Sequence, residues 1–318
     1  MIPLSVILPS HAPKPGIISR TMEALQNQTL PQSEWELLLV DNASPLPLSS
    51  ELADWHLHGR LVREENLGLT HARLRGIAEA LGEVLVWVDD DNLLHPNYLE
   101  RVIEKFQAQP NLGAAGGKSI PEYVEPPPEW FLPDLAPLGC RDLGNEPRVT
   151  RWNEGDNRNY PEFAPIGAGL STRIKAIRQW SEAVKSDPRR LAFGRRGNAL
   201  TSGEDNDINL TLLENGWEVA YFPELSLTHI IPPGRLTQDY LERMARTSFR
   251  DFIRVLDLHG IRPWSAIASW TIPLRAAKSW FNTRAWNGTA ARIRWQGTIG
   301  QFEGRATLSH IPTESKNE

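Results

Sequence analysis

Short apolar runs alternate with amphipathic stretches over the first 120 residues. Leu4–Leu8 has the pattern of a buried strand, which Pro9 is expected to break, and Trp35–Val40 has the same pattern. Between them Ile17, Ile18, Met22 and Leu25 share one face of a helix of about three turns. Leu61-Val62 starts a short third strand, and Leu74, Ile77, Ala78 and Leu81 give a core face to a helix over 69–81. Val84–Val88 is a continuous apolar run, the mark of a strand buried on both faces. Pro96 suits the first position of the next helix, which runs to about Ala108. This alternation predicts an α/β fold with a doubly wound, mostly parallel sheet. Ligands of such sheets bind beyond the carboxyl ends of the strands. Three strands end there in polar or special residues: Pro9-Ser10, Asp41-Asn42 and Asp89–Asn92.

The pattern changes after residue 120. Gly113–Ser119 fails the spacing of a phosphate loop, because Leu112 stands where glycine is needed, and reads as a strand allowing close backbone approach. Pro121–Pro165 is rich in Pro, Asn, Gly and Asp and reads as a long ordered excursion that covers substrate. A helix around Arg173–Lys185 follows, then one from Asp205 to a stop at Asn215-Gly216. A strand near Val219–Phe222 precedes His229. From Asp239 to His259 an amphipathic helix carries Arg243, Arg246, Arg250 and Arg254 as a basic stripe. The expected division is a catalytic domain over 1–235, with a nucleotide-binding half 1–120 and an acceptor half 121–235. A basic, Trp-rich helical extension over 236–306 and a disordered tail over 307–318 complete the chain.

Charge sharpens this division. The chain has a net charge of −5, but from Arg235 onward it is +6 and before that −11. The balance gives no reason to expect nucleic-acid binding. In the extension, Trp264, Trp270, Trp280, Trp286 and Trp295 are interspersed with Arg275, Lys278, Arg284, Arg292 and Arg294. That mixture suits a membrane interface or a lipid-linked acceptor, or else helices packed on the catalytic domain or on a second subunit of a homodimer. The single Cys140 excludes an intramolecular disulfide and a Cys-rich zinc site. No apolar run is long enough for a membrane span, and Leu4–Leu8 is too short for a signal peptide. A cytoplasmic protein, or one peripheral on the inner face of the membrane, is expected.

Three adjacent carboxylates, Asp89, Asp90 and Asp91, are the most informative chemistry. They repel one another unless a cation sits among them or all stay solvated. Mg2+ and Mn2+ take oxygen ligands and bridge carboxylates to substrate phosphates, so the cluster suggests a metal-dependent site for a phosphorylated substrate. A solvated acidic loop is the other reading.

Ser5-Val-Ile-Leu-Pro9, Val40-Asp-Asn-Ala-Ser44, Asn66-Leu-Gly68 with Ala72-Arg73 and Gly76-Ile77, Asp89–Asp91, Gly167-Ala-Gly-Leu170 and Gly203–Ile208 occur in this order. Together, over about residues 3–232, they resemble family 2 glycosyltransferases of the GT-A fold. The resemblance implies an inverting transfer from a nucleotide-sugar donor to a glycan or lipid-linked acceptor, with Mn2+ or Mg2+, as in polysaccharide biosynthesis. It implies Asp91 as metal ligand, with help from Asp89 or Asp90, and a neighbouring Asp at the donor ribose. Pro9 would shape the nucleotide wall, Asp41 would accept from a base N–H unless it only caps its turn, and Arg73 would contact the nucleotide unless it forms a helix salt bridge. Asp205 would be the general base and Glu204 would orient the acceptor, though both also complement a helix N-terminus. His229 would reach the metal or the diphosphate, or else belongs to a core edge, and Arg235 would help hold phosphate. The alternatives are a sugar-phosphate nucleotidyltransferase, for which His11–Gly16 is a poor phosphate loop, and a non-catalytic nucleotide- or glycan-binding module.

Overall fold

A computed structural model describes residues 2–155, 158–197 and 199–308. Most of the expected tail therefore lies outside the described residues. The described residues form two compact units, one drawn from 1–127 and 138–235, the other from 128–137 and from 236 onward.

The first unit is built on one mixed sheet. Its elements are β1 (Leu4–Ser10), α1 (Pro15–Gln26), β2 (Trp35–Asn42), β3 (Gly59–Glu64), α2 (Leu69–Glu79), β4 (Val84–Trp87), β5 (Asn92–Leu94) and α3 (Tyr98–Ala108). Then come β6 (Leu112–Tyr123), β7 (Arg148–Thr150), β8 (Ser171–Arg173), α4 (Ile174–Ser186), α5 (Glu204–Glu214) and β9 (Glu218–Ile231). The strand order is β3-β2-β1-β4-β8-β6-β9-β5, with β7 on β9. The long pairings, β1 with β2, β2 with β3 and β6 with β9, are parallel. Short β8 lies antiparallel between β4 and β6.

Helices cover both faces, because the strands are apolar on both. Val6 and Leu8 pack with Ile18, Met22 and Leu25 of α1 and with Leu99 and Val102 of α3. Ile7, Leu38 and Trp87 face the other way, onto α2, α4 and α5 through Ile77, Trp180 and Ile208.

Two strands run longer than the sequence predicts. β1 continues through Pro9, which pairs with Val40, to Ser10. Ile7 points its carbonyl to the β4 side, where it accepts from Val88 N–H, so Pro9, two residues on, turns the same way. Pairing with β4 stops at Ile7, so the N–H that proline lacks would have had no partner there. β9 runs on past Phe222 and takes His229 into the sheet opposite Asn92. Its register against β6 shifts between Gly116 and Lys118. At Gly117 a Cβ would lie 2.0 Å from the Leu225 carbonyl oxygen, so only glycine fits the kink.

Beside β2, Trp35 and Trp55 enclose the buried imidazole of His56, with Trp35 4.0 Å away between ring centroids. Its Nδ1 accepts from the His58 N–H at 3.1 Å. Burial first, then the charge of His58, depresses the His56 pKa to about 4. Between pH ~4 and ~6.5 the unfolded chain therefore binds more protons, and stability falls as pH drops through that window. The loss at pH 4 approaches about 3 kcal/mol at about 1.4 kcal/mol per pKa unit. The difference in unfolding free energy between pH 7 and pH 5 should shrink in His56→Phe; an equal difference would exclude His56 as the titrating group.

The second unit contains α6 (Gln238–Leu258), α7 (Ile272–Asn282) and α8 (Thr289–Ala306). Thr237 caps α6, accepting from the Tyr240 N–H. Glycines 297, 300 and 304 let α8 lie directly on α6; a Cβ at Gly300 would stand 2.0 Å from the Arg246 carbonyl oxygen. The basic stripe of α6 is ion-paired: Arg246 with Glu303, Arg250 and Arg254 with Asp251, and Arg243 with Asp239.

Candidate active site

The site forms where β1, β2 and β4 end. A tight turn after β4, closed by Asn92 N–H on the Asp89 carbonyl at 3.0 Å, splays the three aspartates in different directions. Asp90 accepts from the Ser10 hydroxyl, and its carbonyl accepts from Thr21 at 3.0 Å. Burial, only partly offset by Ser10, raises Asp90 to about 6.

Asp91 turns to the β9 side, because Asn92 pairs with His229 across the sheet. Its Oδ1 lies 3.3 Å from His229 Nε2 and its Oδ2 lies 2.8 Å from Arg235 Nη2. Burial alone would raise its pKa, but the His229 hydrogen bond and the Arg235 charge overcome this and hold it at about 2. Burial works against the charged form of His229, yet Asp91 raises its pKa well above the usual value. His229 Nδ1 faces the Gly139 carbonyl at 3.3 Å and Cys140 Sγ at 3.7 Å. Residues of the Pro-rich excursion thus close the far side of the imidazole.

Asp89 has no side-chain hydrogen-bond partner among the described residues. Its pKa is raised, first by burial and then by the charge of Asp91. Among the described residues no three His, Cys, Asp or Glu side chains are arranged to enclose a metal by themselves. A hard cation that shares its coordination with substrate phosphates needs only one or two carboxylates. An unpartnered Asp89 destabilised by Asp91 fits that role.

Two expected nucleotide residues are otherwise engaged. Asp41 is buried; its oxygens accept from Ser44 N–H at 3.0 Å, Leu48 N–H at 3.2 Å and Arg63 at 2.6 Å. Those partners hold its pKa below normal despite burial. Arg73 is 2 % exposed, stacks 5.4 Å from the Trp87 ring centroid and places Nη1 3.1 Å from Glu204 Oε1. It sits inside the fold; Pro9, also buried, is the penultimate residue of β1.

Glu204 is buried too and accepts from the Thr70 hydroxyl at 2.7 Å. Burial raises its pKa against the opposing charge of Arg73. A Cβ at Gly194 would stand 2.4 Å from Glu204 Oε2, so the backbone closes over the pair. The charge of Arg73 also works against the rise in the pKa of Asp89. Arg73→Met strands a buried carboxylate and should cost about 3–5 kcal/mol. Arg73→Met with Glu204→Gln should recover much of it in urea unfolding; a double variant as unstable as the single one would show that the pair is not coupled.

Asp205, one residue on, is half-exposed in the first turn of α5. Its Oδ2 accepts from Gly167 N–H and its Oδ1 from Asn206 N–H, both at 3.0 Å. Its charge reaches Tyr160, whose hydroxyl burial pushes far above its normal range, and Arg141. Asp207 is buried against Trp180 Nε1 at 2.7 Å and Arg190 at 2.5 Å, a structural contact.

Sequence reasoning placed Asn42 at the ligand edge without giving it a role, and did not single out Thr70. Asn42 holds the Asn66–Gly68 turn, accepting from Gly68 N–H and donating to the Asn66 carbonyl, both at 2.8 Å. The Asn-Leu-Gly motif gave a signal for the turn; nothing marked Thr70 within an ordinary helix.

The profile of the family described as Glycosyl transferase family 2 matches residues 5–159. The chain is 26 % identical over 251 residues to a glucosyl-dolichyl phosphate glucuronosyltransferase of Haloferax volcanii, covering 76 % of this chain and 72 % of that one. It is 22 % identical to an N-acetylglucosaminyltransferase of Rhizobium meliloti, over 83 % of this chain and 60 % of the relative's length. In fold it is similar to residues 1–349 of TarS from S. aureus, with a TM-score of 0.51 at 13 % identity, covering 95 % of this chain and 89 % of that one. A carboxylate cluster at the end of β4, a half-exposed acid at the start of α5 and a GT-A-like sheet belong together in this setting, and the chain is a glycosyltransferase that is similar over residues 5–159 to family 2.

Proposed function

We propose that the enzyme moves a sugar from a nucleoside-diphosphate donor to a hydroxyl of a glycan or lipid-linked acceptor, with inversion at the anomeric carbon. The observation that carries this reading is the contrast between the two acids of α5. Glu204 is sealed against Arg73 and Thr70, while Asp205 beside it is accessible. Asp205 takes the proton from the acceptor hydroxyl. The freed oxygen forms the new bond to the anomeric carbon as the bond to the diphosphate oxygen breaks, and the diphosphate leaves with that electron pair. Arg73 and Glu204 fix the start of α5 so that Asp205 faces the reacting hydroxyl.

Asp91 with Asp89 would hold Mn2+ or Mg2+, which would supply positive charge for the departing diphosphate; His229, kept protonated by Asp91, would serve there as a second cation and not as a ligand. Arg235 beside Asp91 adds a cation on the same side. A lipid-linked acceptor is favoured by the relative named for a dolichyl phosphate substrate. Transfer assays over a panel of nucleotide sugars, with Mn2+ or Mg2+ and lipid-linked and free glycan acceptors, test the reading. Nucleoside diphosphate should appear in step with glycosylated acceptor of opposite anomeric configuration. Retained configuration would overturn the inverting step, and metal-independent turnover would overturn the cation.

A further inference from the structure

The expected membrane and packing readings of the tryptophan-rich extension divide between different residues. Trp280 and Trp295 pack edge to face, 4.7 Å between centroids, and Trp295 Nε1 donates to the Ala276 carbonyl at 3.0 Å. These two, both half-buried, pack within the unit. Four other large apolar side chains do not: Trp270 is 74 % exposed, Leu274 67 %, Phe281 68 % and Trp286 56 %. Leu274 and Phe281 are seven residues apart on α7, about two turns, and so lie on one face. Trp270 stands four residues before Leu274, in the turn that leads into α7, and Trp286 meets Phe281 edge to face at 5.9 Å. Of α7 only Ser279 is buried. Scattered apolar residues on a surface need no explanation, but four large exposed ones within 17 residues, two of them on one face of a short helix and two in ring contact, do.

Charge identifies what covers the strip. Lys278 lies next to Leu274 and Phe281 at i+4 and i−3 spacing, with Arg275 beyond it and Arg284 after the helix. All three are exposed, and none has an ion pair among the described residues. The arginines of α6, by contrast, are paired. From Leu258 to Phe302 the chain has six Lys and Arg and no Asp or Glu. A second copy would bring the same uncompensated cations against these. An anionic bilayer supplies phosphate charge to the basic flank and an acyl boundary to the aromatic strip.

We infer that Trp270, Leu274, Phe281 and Trp286, flanked by Arg275, Lys278 and Arg284, form a membrane-docking face for anionic phospholipid. No helix of the described residues is long and apolar enough to cross a membrane, so the face lies in the interface rather than spanning it. Tryptophan rings suit the headgroup level, and the cations face lipid phosphate. This holds whichever sugar and acceptor the enzyme uses, and its test needs no turnover.

Flotation of the full chain with phosphatidylcholine vesicles, with and without about one-third phosphatidylglycerol, reads the interaction directly. The protein should float with the anionic vesicles and stay behind with the neutral ones, and rising salt should weaken the partition. Trp270→Ala/Leu274→Ala/Phe281→Ala and, separately, Arg275→Glu/Lys278→Glu/Arg284→Glu should each weaken it by about a hundredfold or more. Unfolding midpoints close to the parent's would show that both variants fold. Absence of flotation at low salt would overturn the inference, as would flotation untouched by both variants. Concentration-dependent dimerisation of the parent that the apolar variant abolishes, without vesicle binding, would also overturn it and assign the face to a second copy.

Discussion

Asp205→Asn is expected to slow sugar transfer by about 10²–10⁴-fold, the usual span for a general base, and to leave donor binding unchanged. Asparagine keeps the size of the side chain and one oxygen that can accept from the Gly167 N–H now 3.0 Å away. It cannot take a proton. The variant should remain folded, since Asp205 is only half-buried and its two partners are backbone amides. Single-turnover transfer together with calorimetric donor binding separates chemistry from affinity. Transfer at the parent rate would remove Asp205 from the mechanism. A variant that failed to bind donor would point instead to a role in donor placement.

Asp91→Asn should act at the other end of the reaction. The parent carboxylate is held at about 2 by His229 and Arg235 despite burial, so it is fully charged at neutral pH. Its contribution to folding is complete above the unfolded value of about 3.9 and is lost only as pH falls toward 2. Removing that charge leaves His229 and Arg235 without their common partner and leaves Asp89 as the remaining carboxylate on that side. Transfer should fall by about a thousandfold or more, in line with the several kcal/mol that a Lewis acid contributes. The discriminating measurement is donor affinity with and without Mn2+. In the parent the ion should tighten donor binding; in Asp91→Asn it should make no difference. Metal-dependent donor binding that survives in the variant would exclude Asp91 as the ligand. Because Asp205→Asn should keep that dependence, the two variants assign separate halves of the reaction.

The sequence exposes these two acids more clearly than the residues that support them. Asp89–Asp91 and Glu204-Asp205 stand out because adjacent carboxylates are costly and need a local reason. Nothing local distinguishes Glu204 from Asp205, or Arg73 from any other helix arginine. Their difference arises from the packing of α2 against the start of α5, where Gly194 closes over Glu204 and Trp87 lies beside Arg73. Asp41 is a similar case: its partner Arg63 comes from the neighbouring strand, 22 residues away. The partners of Asp91 come from 138 and 144 positions further along the chain, and only the pairing of β5 with β9 brings them together.

Hydrophobic period and punctuation were enough to determine the alternation of strands and helices through the first 120 residues apart from short β5, the edge at which their polar ends meet, and the acidic groups placed there. Those are local properties, written in spacing and in the repulsion of neighbouring charges. Tertiary structure alone decided that β1 continues through Pro9, that His229 lies in a strand, which acid of α5 is sealed and which accessible, and which tryptophans of the extension are exposed. Each depends on a partner distant in the chain, and a residue's burial and ionisation are set by what packs against it.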